Sequence, residues 1–125
     1  MIKLSYSLRR LPSLSRSEFQ LYWRETHAPL VQQHAATLRI RRYVQLHCSD
    51  DAGDDSLRAS RGAPEGYDGV AELWWDSFED MAEAGTTAEG RAAGRALSED
   101  EKRFIDLAHS PFTMGIEHPI IGDSK

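Results

Sequence analysis

The sequence predicts an α+β fold: one four-stranded antiparallel sheet, helices on one face, and the element order βαββαβ. Three observations predict it. Residues 2–8 alternate cleanly between apolar and polar side chains, as a half-buried strand does. A helix with its own start signal follows at Ser15, its apolar residues recurring at helical spacing. Two further alternating segments, a second helical region and a last apolar-rich segment then complete the order. Two split βαβ units of this kind give the ferredoxin-like arrangement. The 125 residues suit one compact domain, 1–125. A hydrophobic fraction of 40% is lean, as expected of a thin two-layer domain that completes its core by association.

In the first strand Ile2, Leu4, Tyr6 and Leu8 share one face, against Lys3, Ser5 and Ser7. Residues 9–14, with Pro12, connect it to the helix. Ser15 and Glu18 form a capping box, each side chain satisfying a backbone N–H that the first turn would orphan. At 100° per residue Phe19, Trp23, Thr26, His27, Leu30 and His34 fall in one stripe, so His27 points toward packed protein. Pro29 cannot donate to the carbonyl of Glu25, which predicts a bend or break near His27. The helix is expected to end before Arg39.

A second strand is expected over 40–48, with Ile40, Val44, Leu46 and Cys48 opposite Arg41, Tyr43, Gln45 and His47. Residues 50–66 read as a flexible acidic loop, rich in aspartate and poor in apolar side chains. Its acidic run lacks the register of a calcium loop. Residues 67–76 form the third strand, Val70, Glu72 and Trp74 opposite Gly69, Ala71, Leu73 and Trp75. Ser77 with Asp80 caps the next helix. Gly85, Gly90 and Gly94 make the following region weakly helical at best. Ser98 and Glu101 suggest a further capping box before Phe104. A final strand is expected over 112–121.

If the helices cover Ile2/Leu4, Val44/Leu46 and Phe112/Met114/Ile116, the opposite sheet face keeps Ser5, Ser7, Tyr43, Gln45, His47, Glu72 and Trp74. Such neutral polar and aromatic groups suit a lined cavity. A homodimer closing its two sheets into an α+β barrel would enclose them.

Net charge is -5, divided into about +4 over residues 1–62 and about -9 over 63–125. An acidic chain with one short basic cluster, Arg39 to Arg42, is a poor nucleic-acid binder. No apolar run approaches a membrane span, and the first residues lack the apolar block of a signal peptide. Cys48 is the single cysteine, so no intrachain disulfide forms and a cytoplasmic location is expected. No metal-binding or phosphate-cradling motif is present.

The segments 14–19, 22–24 and 26–31, continuing through Arg42-Tyr43-Val44-Gln45, residues 67–74, residues 100–106 and Glu117-His118, resemble the EthD-like family. That family is named for a protein linked to ethyl tert-butyl ether degradation and belongs to the dimeric α+β barrel superfamily. The resemblance covers almost the whole chain except the acidic loop. It implies the fold and a homodimer. It also implies action on small organic molecules such as lactones, polyketides or aromatics, usually without a metal or organic cofactor. The histidine of the family's helix motif corresponds to His27.

His27 is thus either a core histidine bonded to a carbonyl freed near Pro29, or a general acid/base able to shuttle protons near neutral pH. Tyr43 and His47 are candidate substrate or proton-carrying partners, or plain sheet residues. Glu72 is a buried base or one half of a structural ion pair. Trp23, Gln45 and Trp74 are candidate substrate contacts, the tryptophans having core packing as the alternative. Two functions follow: a small cofactor-independent isomerase, dehydratase-cyclase or monooxygenase-like enzyme, or a non-catalytic ligand-binding or accessory protein.

Overall fold

In the computed structural model, which describes residues 1–49 and 52–122, the four strands stand in the order β2-β3-β1-β4 with every neighbouring pair antiparallel. The strands are β1 (Ile2–Leu8), β2 (Arg42–His47), β3 (Gly69–Trp75) and β4 (Phe112–Gly115). Between β1 and β2 run α1 (Arg16–Tyr22), a π turn over Trp23–His27 and α2 (Ala28–Leu38). A helix α3 (Ala52–Arg61) precedes β3; α4 (Phe78–Ala84) and α5 (Ala88–Glu101) follow it. This is the ferredoxin-like arrangement.

Ser15 starts α1 through the expected box: its hydroxyl accepts from Glu18 N at 3.1 Å and Glu18 Oε1 accepts from Ser15 N at 2.8 Å. Pro29 does not break the helix. Its missing N–H is absorbed by a wider turn in which Ala28 N bonds Trp23 O, five residues back. The winding changes at His27 while the chain runs on as α2, until Arg39 caps it in the left-handed region (φ 61°).

The core lies between the helices and the sheet. Tyr6 and Leu8 of β1 and Ala71 of β3 pack against Phe19, Trp23, Phe104 and Ile105, all buried. Beyond α5 the chain is stitched back to the β1–α1 connector by Leu11 N to Phe104 O at 3.0 Å and Asp106 N to Arg9 O at 2.8 Å. Asp68, 2% exposed, accepts from Arg10 N, Arg10 Nη1 and Arg16 Nε. Burial opposes its charge, yet these donors hold its carboxyl below the ordinary aspartate range.

Several expectations are corrected. The acidic stretch is not a loop throughout: residues 52–61 form α3, while Asp50 and Asp51 lie outside the described residues. The glycine-rich region is the 14-residue helix α5, capped by Thr87 rather than starting at Ser98, whose hydroxyl bonds Arg95 O inside the helix. Close packing explains why glycine is used there: a Cβ at Gly90 would lie 1.7 Å from the carbonyl oxygen of Ala84. The last strand stops at Gly115. Phe112 and Met114 do lie on the helix-facing side, opposite Tyr6 and Leu4. They are nevertheless exposed, Phe112 stacking on the Tyr6 ring at 4.0 Å.

The faces of β2 are reversed. Its register sets Tyr43, Gln45 and His47 opposite Leu73, Ala71 and Gly69, on the side covered by the helices. Val44 and Leu46 instead face outward with Glu72 and Val70. The cause is the indole of Trp23, which fills the hole left by Gly69. A Cβ on Gly69 would come within 2.4 Å of that ring. The indole stacks on His47 at 4.6 Å and donates to the Tyr43 hydroxyl at 3.2 Å, so the polar side of β2 is the side it needs.

Candidate functional site

The π turn aims His27 into the layer between helices and sheet, where it is 5% exposed. Its Nδ1 lies 2.7 Å from Asp100 Oδ2, near the end of α5. The other Asp100 oxygen accepts from the Tyr22 hydroxyl at 2.6 Å and from Arg103 Nη1 at 3.0 Å. Phe104 packs at a tilt against both rings, 5.0 Å from His27 and 5.1 Å from Tyr22.

Burial alone would push Asp100 up, but the bonds from Tyr22, His27 and Arg103 hold it below the usual carboxylate range, so it is ionised near neutrality. Burial lowers His27 from its ordinary 6.5, against the opposing pull of Asp100. A neutral ring beside an ionised carboxylate must donate from Nδ1, which leaves the Nε2 lone pair as a base. The arrangement can therefore take a proton and stabilise the imidazolium that results.

Glu101, the next residue, is partly buried, and its carboxyl and the Tyr6 hydroxyl influence one another's ionisation. Desolvation raises its carboxyl to about 7, the Asp100 charge adding to the rise and Tyr6 opposing it. Two adjacent acids are thus driven apart, one ionised and one half-protonated near neutral pH.

The ordinary pKa of Glu101 is 4.5. Below that value it is protonated whether folded or not, and folding loses nothing. As pH rises from 4.5 toward 7 the unfolded chain releases a proton that the folded chain keeps. Stability then falls by about 3 kcal/mol through this group. Glu101→Gln is expected to remove that dependence. Urea melts at pH 4.5 and 7.5 should show the variant gaining about 3 kcal/mol on wild type between them.

Of the residues the sequence nominates, His27 and Trp23 sit together on the π turn. Tyr43, Gln45 and His47 join them through Trp23. Gln45 Nε2 donates to Trp23 O at 3.0 Å and to the Tyr43 hydroxyl at 2.9 Å, and His47 Nε2 lies 2.7 Å from Gln45 Oε1. Burial raises Tyr43 and lowers His47. Glu72 and Trp74 are not brought to this site. They lie on the opposite sheet face, where Lys3 Nζ is 2.6 Å from Glu72 and Glu117 accepts from the Trp74 indole at 2.6 Å. Lys3 and Arg42 cover the Trp74 ring. Glu72 is therefore one half of an ion pair, with Lys3 as its partner.

Sequence reasoning missed Asp100, Glu101, Tyr22 and Tyr6. A signal for Asp100 exists: Ala93, Leu97, Asp100 and Phe104 share a helical stripe, so an acid interrupts an apolar face just as His27 does. Among the described residues no cluster of three or more His, Cys, Asp or Glu is placed to hold a metal ion. No described helix is long and apolar enough to cross a membrane.

A family model described as EthD domain matches residues 11–108. No curated protein matches the chain. Several solved structures share its fold. An ethyl tert-butyl ether degradation (EthD) family protein from Bacillus halodurans is 19% identical, with 94% of this chain and 100% of that one covered and a TM-score of 0.61. A dimeric protein with a ferredoxin-like fold from Bacteroides fragilis is 11% identical over 91% and 93%, at a TM-score of 0.57. SnoaB from Streptomyces nogalater, a cofactor-independent oxygenase, is 11% identical over 98% and 97%, also at 0.57.

Proposed function

From a chain that belongs to the EthD domain family and buries a histidine against an aspartate, we propose a small enzyme that moves protons on an organic molecule, with His27 as the base. The observation that carries this reading is the 2.7 Å contact between His27 Nδ1 and Asp100. Nε2 removes a proton from a carbon next to a carbonyl, or from an enol or phenol. Asp100 stabilises the imidazolium, and the proton returns at another position. Glu101 supplies or shares a proton at the developing oxyanion. Isomerase, dehydratase-cyclase and oxygenase-type outcomes all begin with that transfer. The substrate class is a lactone, a polyketide or an aromatic-like compound, and the chemistry needs no cofactor. SnoaB, of the same fold, is described as a cofactor-independent oxygenase, which supports the reading.

Deuterium exchange from solvent into a panel of γ-lactones, 1,3-diketones and hydroxyaryl ketones tests it. The rate should rise as His27 loses its proton, below its ordinary 6.5, and fall as Glu101 ionises near 7. A narrow bell centred between these limbs supports the assignment, and a rate that follows hydroxide alone contradicts it.

The unit is a homodimer joined through the sheet face away from the helices, where Ser5, Ser7, Val44, Leu46 and Val70 remain uncovered by helix. The Bacteroides fragilis relative is described as dimeric, which supports this arrangement. Val44→Arg sets a cation opposite Glu72 within the chain and brings extra charge into the interface. Light scattering should show wild type at twice the monomer mass and the variant at the monomer mass, with unchanged circular dichroism.

A further inference from the structure

Tyr22 closes α1, and His27 closes the π turn five positions later. In an unbroken α-helix, side chains five residues apart project about 140° from one another, too far to grip one small group together. The wider turn, in which Ala28 N bonds Trp23 O, narrows that angle. Both side chains therefore reach a single carboxylate, Tyr22 Oη at 2.6 Å from Asp100 Oδ1 and His27 Nδ1 at 2.7 Å from Oδ2. Phe104, fully buried, packs against both rings and confines them to that side.

An ionised Asp100 has no proton to give, so the Tyr22 hydroxyl must donate. Burial first, then the bond to Asp100 and its charge, raise the phenol above its ordinary 10, so it remains a donor at neutral pH. Arg103 also reaches Oδ1, at 3.0 Å, but its side chain is 64% exposed and water screens it. The other titratable groups nearby are Glu101, beside Asp100 in α5, and Tyr6 of β1, which acts on Glu101. A carboxylate turns readily about its last torsion. With one oxygen tied to Tyr22, the other is fixed on the imidazole.

We propose that Tyr22 is a positioning residue for the proton transfer: its bond to Asp100 Oδ1 keeps Oδ2 on His27 Nδ1, and so keeps the Nε2 lone pair aimed in one direction. The same bond draws charge from Asp100, which leaves His27 a weaker base than the pair alone would make it. This role rests on the proton-transfer reading and deepens it, and its effect on the imidazole can be measured without turnover.

Tyr22→Phe tests the role, because the ring that packs on Phe104 remains and only the hydroxyl is lost. His27 is titrated by nitrogen-15 correlation spectra in wild type and variant. Deuterium exchange is followed in both on the fastest-exchanging compound among the lactones, diketones and hydroxyaryl ketones. The variant's imidazole should titrate at higher pH than wild type's, since Asp100 with one donor fewer stabilises the imidazolium more. Glu101 titrates in both proteins, so the comparison is of the difference. The kcat for exchange should fall about ten-fold with KM within about two-fold, and the acid limb of its pH profile should move up with the titration. A His27 titration that does not move, or a kcat equal to wild type's, would each overturn the proposal. Failure of the underlying reading looks different: wild type exchanges nothing, while the His27 titration still moves in Tyr22→Phe.

Discussion

Asp100→Asn is expected to lower proton exchange by about 100-fold or more while leaving a folded protein. The amide keeps the size of the carboxylate and can still accept from Tyr22 and Arg103. It cannot stabilise an imidazolium as an anion does, and its NH2 group can turn His27 to the tautomer that presents Nε2–H in place of a lone pair. Stability should fall by about 2–3 kcal/mol, because bonds from a cation and a phenol to a charge become bonds to a neutral oxygen. His27→Ala should abolish the same exchange and also cost stability, because it empties a buried site and removes a partner of the Asp100 carboxylate. Measured together, exchange rates and urea melts separate the two roles of the pair. A purely structural pair would lose stability in Asp100→Asn, and the exchange rate of the folded fraction would not move.

Gly90→Ala is expected to be the most damaging single methyl added to this chain. The new Cβ would lie 1.7 Å from Ala84 O, a backbone atom at the end of α4 that no side-chain rotation relieves. Gly90 N also donates to the Thr87 hydroxyl, so the first turn of α5 is tied to the same spot. Relief requires α5 to move, and α5 carries Asp100 and Glu101. A loss of about 3 kcal/mol or more follows, roughly a 10 °C drop in melting temperature. Exchange activity should fall with it, even at temperatures where the variant remains folded. Gly94→Ala, where a Cβ meets nothing within 4 Å, is the control and should be neutral or stabilising.

The contrast between those two glycines explains part of what the sequence could and could not convey. Helix propensity counts every glycine as a cost, yet Gly90 is there because two helices meet at van der Waals distance, and only tertiary structure supplies that fact. The same holds for β2. Alternation showed two faces but not which faces inward, and the apolar pair Val44/Leu46 was the natural choice. The deciding feature is the hole at Gly69, which admits Trp23 and draws Tyr43, Gln45 and His47 toward it. Local signals fared better. The Ser15–Glu18 box, the alternation of β1 and the stripe that buries His27 each depend on neighbours close in sequence. Pro29 marked the right place but not the outcome, since a π turn satisfies what a break would have left open. Asp100 and Glu101 were concealed by a different route: with Ser98 they fit the pattern of a helix start, and the true cap lies at Thr87.

The central claim is that His27 stands neutral beside an ionised Asp100, with its proton on Nδ1 and a lone pair on Nε2. Nitrogen-15 correlation spectra of the imidazole at pH 7 read this directly. The account predicts a protonated, hydrogen-bonded Nδ1 and an Nε2 at the shift of an unprotonated nitrogen, lost in Asp100→Asn. An imidazolium at pH 7, or a neutral ring carrying its proton on Nε2, would contradict it.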